Sequence, residues 1–106
     1  MLYKLIVKKL SVCYNTSMFT LWAKEFKDNK LLKDITITDE TLDTRTHKVF
    51  NAVEKICNEF DLSKPIWFDS NITDFKRSSK VRFRKDNFID DVPFDYLEIQ
   101  VLEEDD

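Results

Sequence analysis

The sequence predicts an α+β domain over residues 1–106: a largely antiparallel sheet of about five strands with one long amphipathic helix packed on one face. Two changes of apolar period carry that expectation. Apolar and polar residues alternate before residue 40, apolar residues then gather on one third of a helical circumference over 42–60, and short alternating runs return after residue 65. A third observation is that the chain contains no glycine, so its turns must be built from Asn, Asp and Ser.

Taken in order, residues 2–12 set Leu2, Ile6, Leu10 and Val12 against Tyr3, Leu5 and Val7, with lysines between, and read as a strand. Residues 18–26 and 31–38, rich in β-branched and aromatic side chains, flank Lys27-Asp28-Asn29-Lys30 as a hairpin in which Asn29 can take the left-handed conformation. Over 42–60 the stripe of Leu42, Val49, Phe50, Val53, Ile56, Cys57 and Phe60 marks the helix, with Arg45, Lys48, Asn51, Glu54, Lys55 and Asn58 outside it. An Asp or Thr between Asp39 and Thr44 caps its start, and the approach to Pro65 ends it. Residues 65–68 then read as a short strand. Asp69 or Ser70 caps a short helix carrying Ile72 and Phe75, residues 80–84 and 94–102 alternate as strands, and 102–106 form a frayed acidic tail.

Composition narrows the function. A hydrophobic content of 42%, with nine Phe, gives enough apolar area for a folded core. The longest apolar runs are three residues, far short of the roughly twenty that span a bilayer. The N-terminus, interrupted by Lys4, Lys8 and Lys9, lacks the continuous apolar stretch of a secretory signal, so the cytoplasm is the expected address. Cys13 and Cys57 fall on separate elements without a CxxC or Cys/His cluster, which predicts buried thiols and neither a disulfide framework nor a zinc site. Without glycine the P-loop, the dinucleotide-binding fingerprint and the nucleophile elbow are all excluded, and no cofactor is expected.

The charge distribution is the one pointer to a partner. Residues 76–85 carry six cations and no anion, Lys76, Arg77, Lys80, Arg82, Arg84 and Lys85, whereas 86–106 carry nine anions and no cation. If 80–84 form a strand, Lys80, Arg82 and Arg84 project from one face and Val81 and Phe83 anchor the other. With Phe83, Phe75, Trp67 and Phe68 nearby, these cations have the ingredients of an anion or nucleic-acid surface. The competing expectation, favoured on the sequence, pairs Lys80, Arg82 and Arg84 with Asp90, Asp91, Asp95 and Glu98 across neighbouring strands.

The acidic segment admits a metal site in which Asp86, Asp91 or Asp95 joins Glu98. Glu98-x-Gln100 resembles the motif of restriction-type nucleases, but Gln100 stands where that motif has lysine, leaving the water-activating role vacant. The acidic tail also suits a mimic of a phosphate backbone. His47, the only histidine, falls on the polar flank of the long helix with no relay partner placed by sequence, and reads as a surface residue. Trp22 and Trp67 read as core or half-buried residues.

Residues 64–72, KPIWFDSNI, together with 86–89, DNFI, and 94–99, FDYLEI, resemble a group of small bacterial proteins of about this length that have no assigned activity. The resemblance implies a bacterial cytoplasmic origin and a single-domain fold, and supplies no catalytic residue. The function expected from the sequence is therefore a small, non-enzymatic binding protein acting on a protein partner or a second copy of itself near residues 64–85. Nucleic-acid binding through 76–85 is the alternative, a metal-dependent nuclease the third reading, and no membrane is involved.

Overall fold

The computed structural model describes residues 18–104, so the expected strand 2–12, Cys13 and residues 105–106 lie outside the described residues. The α+β class holds: among the described residues there are four strands, against about five expected, and the long helix is joined by the short one expected after Asp69. The strands are β1 (Phe19–Lys27), β2 (Lys30–Asp39), β3 (Lys80–Arg84) and β4 (Tyr96–Glu104). Their order is β2-β1-β4-β3, and every neighbouring pair is antiparallel. The helices are α1 (Arg45–Phe60), which lies against β1 and β2, and α2 (Asp69–Ser78), which lies along β3.

Each turn is solved without glycine. Asp28 and Asn29 both adopt left-handed backbone, at φ 53° and 65°, which gives the β1–β2 hairpin a two-residue turn whose twist matches the strands. Side chains of short polar residues delay the start of α1: Thr41 N–H donates to Asp39 Oδ1, Thr44 N–H to Asp43 Oδ1, and His47 N–H to Thr44 Oγ1. These bonds hold 40–43 outside the helix, with Thr44 as its cap, and leave Leu42 at 84% exposure instead of on the apolar stripe. Val49, Val53, Ile56, Cys57 and Phe60 do face the core, whereas Phe50 is half exposed and turns an edge toward Trp67. At the far end Asp61 takes φ 58°, and the Leu62 and Asp61 N–H groups close on the carbonyls of Cys57 and Asn58, so the helix stops before Pro65 is reached.

Residues 65–68 are extended but form no strand. Ile66 N–H donates to the Asn87 carbonyl and its own carbonyl accepts from Asn87 Nδ2, so a single residue satisfies what a ladder would otherwise bond. The segment delivers Trp67 to the core, where its indole meets Phe83, Phe75 and Phe50 edge-on at 4.8, 5.7 and 5.9 Å between centroids. The start of α2 also differs from expectation: Phe68 holds the cap position, and Asn71, three residues on, reaches back to accept from its N–H at 2.9 Å. Instead of fraying at 102, the C-terminal strand β4 runs to Glu104, opposite Phe19, after a shift of register between Thr20 and Leu21 that leaves Leu102 without a facing residue on β1.

The core fills the space between the sheet and the two helices. Leu21, Ala23, Leu97, Ile99, Val81 and Phe83 supply the sheet side, and Cys57, free and buried, has its thiol pushed up to about 11 by that burial. A buried carboxyl shares this face: Glu25, 2% exposed, stands in register between Leu97 and Lys33. Burial raises its carboxyl above the ordinary range, and Lys33 offsets part of that rise. A raised carboxyl stabilises the fold below the unfolded-state value, and the benefit is lost as pH climbs through the folded one. Glu25→Gln is therefore expected to raise Tm near neutral pH and to leave it unchanged at about pH 4, where both side chains are neutral. Thermal denaturation followed by circular dichroism at the two pH values checks this; an equal gain at both would mean that charge burial is not the cause.

Candidate anion-binding groove

The alternation of Lys80, Arg82 and Arg84 with Val81 and Phe83 takes the expected form, with the cations exposed and the apolar pair buried. Among the described residues β3 is an edge strand. Its neighbour on the outer side is α2, and between them runs a groove of ≈ 470 Å³ lined by Asn71, Asp74, Arg77, Ser78, Lys80, Arg82, Arg84, Asp86 and Asn87, with Phe68 at its rim.

Three polar side chains build this groove by taking up the outward backbone of β3. Asn71 Nδ2 donates to the Arg82 carbonyl at 3.4 Å and Asn87 Oδ1 accepts from Arg84 N–H at 2.9 Å, while the single Ser78 hydroxyl proton is shared between the Asp74 carbonyl at 3.0 Å and the Lys80 carbonyl at 3.4 Å. The two asparagines also meet each other, Asn87 Nδ2 donating to Asn71 Oδ1 at 2.8 Å, and both are buried. The edge is thereby blunted by side chains in place of a neighbouring strand.

The six cations fare differently from one another. Arg77 is held by Asp74 at 2.9 Å, an exposed pair within α2. Arg82 Nε donates to Glu98 Oε1 at 2.9 Å, and Lys24 Nζ lies 2.9 Å from Glu98 Oε2, so one carboxylate serves two cations on three adjacent strands. Burial pushes Glu98 up, but hydrogen bonds from Lys24 and Arg82 outweigh it and hold the carboxyl below its ordinary range. The guanidiniums of Arg82 and Arg84 stand 4.7 and 5.6 Å from the Tyr96 ring centroid, and Tyr96 in turn stacks on Phe26. Lys76 and Lys85 flank the groove, at the last turn of α2 and the start of a 3₁₀ turn (Lys85–Asn87).

Of the expected pairings with the acidic segment, only Arg82–Glu98 forms among the described residues. Asp95 immediately precedes β4, and its Oδ2 accepts from Asp28 N–H and ties down the hairpin turn, while Asp90 and Asp91 are exposed in the preceding loop. The carboxylates proposed for a nuclease site are likewise scattered: Asp86 lines the groove, Asp95 meets the hairpin and Glu98 is occupied by two cations. Among the described residues no three His, Cys, Asp or Glu stand together as a metal site. His47 is a surface residue as expected, though Asp43, a partner the sequence reading passed over, lies 2.8 Å from its Nδ1.

On the open face of the sheet, Trp22 is half-buried, donates to Asp34 Oδ2 at 2.8 Å and lies beneath Lys24 Nζ, 3.8 Å from its ring. Sequence reasoning missed Lys24, Asn71 and Asn87. Only Asn71 carried a local signal, as a polar residue at the third position of a helix.

Over the described residues, the fold and groove define an α+β domain with a four-stranded antiparallel sheet and a cation-lined cleft along one edge. Compared with family models, with curated proteins and with solved structures, the chain matches none. Among the described residues no helix is long and apolar enough to cross a membrane.

Proposed function

We propose that this domain acts by binding rather than catalysis, and that it takes nucleic acid along the α2–β3 groove. The observation that carries this reading is charge imbalance. Arg77, Lys80, Arg82 and Arg84 line the groove, with Lys76 and Lys85 beside it, while among the described residues Asp74 and Asp86 are the only carboxylates in its lining. Glu98, which holds Arg82, is shared with Lys24 and cannot neutralise both. Lys80, Arg82 and Arg84 recur every second residue along an extended strand, roughly 6.6 Å apart, which suits a charged polymer better than a single small anion. A protein partner adding a strand here would need backbone groups already bonded to Ser78, Asn71 and Asn87, whereas nucleic acid needs only the side chains.

Fluorescence-anisotropy titration with labelled single-stranded DNA, RNA and duplex tests the reading. Binding is expected to weaken steeply between about 50 and 200 mM salt. A Lys80→Ala/Arg84→Ala variant, which leaves Arg82–Glu98 intact, is expected to lose at least about tenfold in affinity and to lower the log–log salt slope by about 1.5. Absent binding at low salt, or binding that the double variant keeps, overturns it.

A further inference from the structure

The two edges of the sheet are treated in opposite ways. β3 has its outer backbone taken up by Ser78, Asn71 and Asn87, whereas β2, ten residues long, has no neighbour on its outer side among the described residues. β2 contains no proline, its one irregularity lies near the turn, opposite Glu25/Phe26, and the charges that would guard such an edge, Lys33, Asp34 and Asp39, are of both signs. From Lys33 to Asp39 its register against β1 is unbroken. Ile35, Ile37 and Asp39 are half-buried on the side of α1, while Asp34, Thr36 and Thr38 are exposed on the open face. Lys33 belongs to the first set, with its Nζ 4.8 Å from the Phe60 ring.

Two identical antiparallel strands in one sheet are related by a two-fold axis normal to it, so facing residues must share a face. That leaves few registers. Centring the axis on Asp34 sets that carboxylate against its own copy, which repels. Centring it on Ile35 sets Lys33 against Ile37, and centring it on Ile37 sets Ile35 against Asp39; both place a charge opposite an isoleucine. Centring it on Thr36 sets Ile35 against Ile37, Asp34 against Thr38, and Lys33 against Asp39, with each pairing occurring twice. Only this register is complementary in both charge and apolar contact.

We infer that β2 pairs antiparallel with β2 of a second copy about an axis through Thr36, joining the four described strands of each copy into one continuous sheet. The partner is a second copy of this chain because the strand complements itself. The α2–β3 grooves then lie at the two far ends, so this inference does not depend on what they bind.

Sedimentation analysis of the full chain over about a hundredfold concentration range is expected to show a monomer–dimer equilibrium. Thr36 is exposed and on the axis, so Thr36→Lys and Thr36→Asp each oppose like charges and are expected to weaken dimerisation at least about tenfold, while an equimolar mixture of the two regains it as a heterodimer. Circular dichroism establishes that both variants are folded. In the wild-type chain, amide-exchange protection over residues 33–39 is expected to rise with protein concentration. A wild-type chain that stays monomeric, β2 amides protected independently of concentration, or a Thr36→Lys chain that dimerises as well as the wild type each overturn the inference.

Discussion

Replacing Asn87 with leucine is expected to destabilise the domain by about 3–5 kcal/mol, although the two side chains are similar in size and the residue is only 3% exposed. The loss comes from what the amide serves. It donates to the Ile66 carbonyl and to Asn71 Oδ1, and accepts from Arg84 N–H, joining the α1–α2 connection, the start of α2 and the end of β3. Leucine leaves two part-buried backbone groups, the Ile66 carbonyl and Arg84 N–H, without these partners, each costing about 1–3 kcal/mol, and removes one of the two bonds on the buried Asn71 Oδ1. Against a total stability of about 5–15 kcal/mol this is a large share, and Tm should fall by on the order of 20 °C. Urea denaturation measures the loss directly. A cost under about 1 kcal/mol would mean that the network is incidental to the fold.

Glu98→Ala is expected to cost about 3 kcal/mol, and the cause is the lysine it abandons. Lys24 and Glu98 side chains are 11% and 6% exposed, so the ammonium is left nearly buried without its carboxylate, whereas Arg82, at 48%, can turn to water. Lys24→Met/Glu98→Leu should recover most of the loss, since an apolar pair of similar volume leaves no stranded charge. The acid limb supplies a second test. A carboxyl held below its ordinary range stabilises the fold fully above the unfolded value, and the contribution disappears as pH falls through the lower folded value. Wild-type stability should therefore decline below about pH 4 more steeply than that of Glu98→Ala. Parallel acid profiles would assign the loss to packing instead.

Features set by short-range pattern could be read from the sequence. The period-two alternation of 80–84, the apolar stripe from Val49 to Phe60 and the left-handed Asn29 all depend on residues within a turn or two of one another. Local competition explains the errors near element ends. Leu42 fits the helical stripe by spacing, but Asp39, Thr41, Asp43 and Thr44 offer the backbone and each other nearer partners. Residues 65–68 have strand composition, but the partner available to them is one asparagine. In the groove, the cations were visible and their environment was not. Whether Arg82 meets Glu98 or Asp95 depends on a register between strands distant in sequence, and Lys24 enters the site only because β1 lies beside β4.

That last adjacency also governs how the chain reaches its folded form. The β1–β2 hairpin closes over two residues, and α2 runs directly into β3, so both ends of the sheet can assemble from neighbours in sequence. The joint between them is different, because Phe26 pairs with Tyr96 across roughly 70 intervening positions. Two locally ordered halves must find each other before the central pair of strands can form, and the entropy of closing that loop falls on this single step. Folding speed is therefore set at the middle of the sheet, in the hydrogen bonds between β1 and β4 and the contacts that cross them.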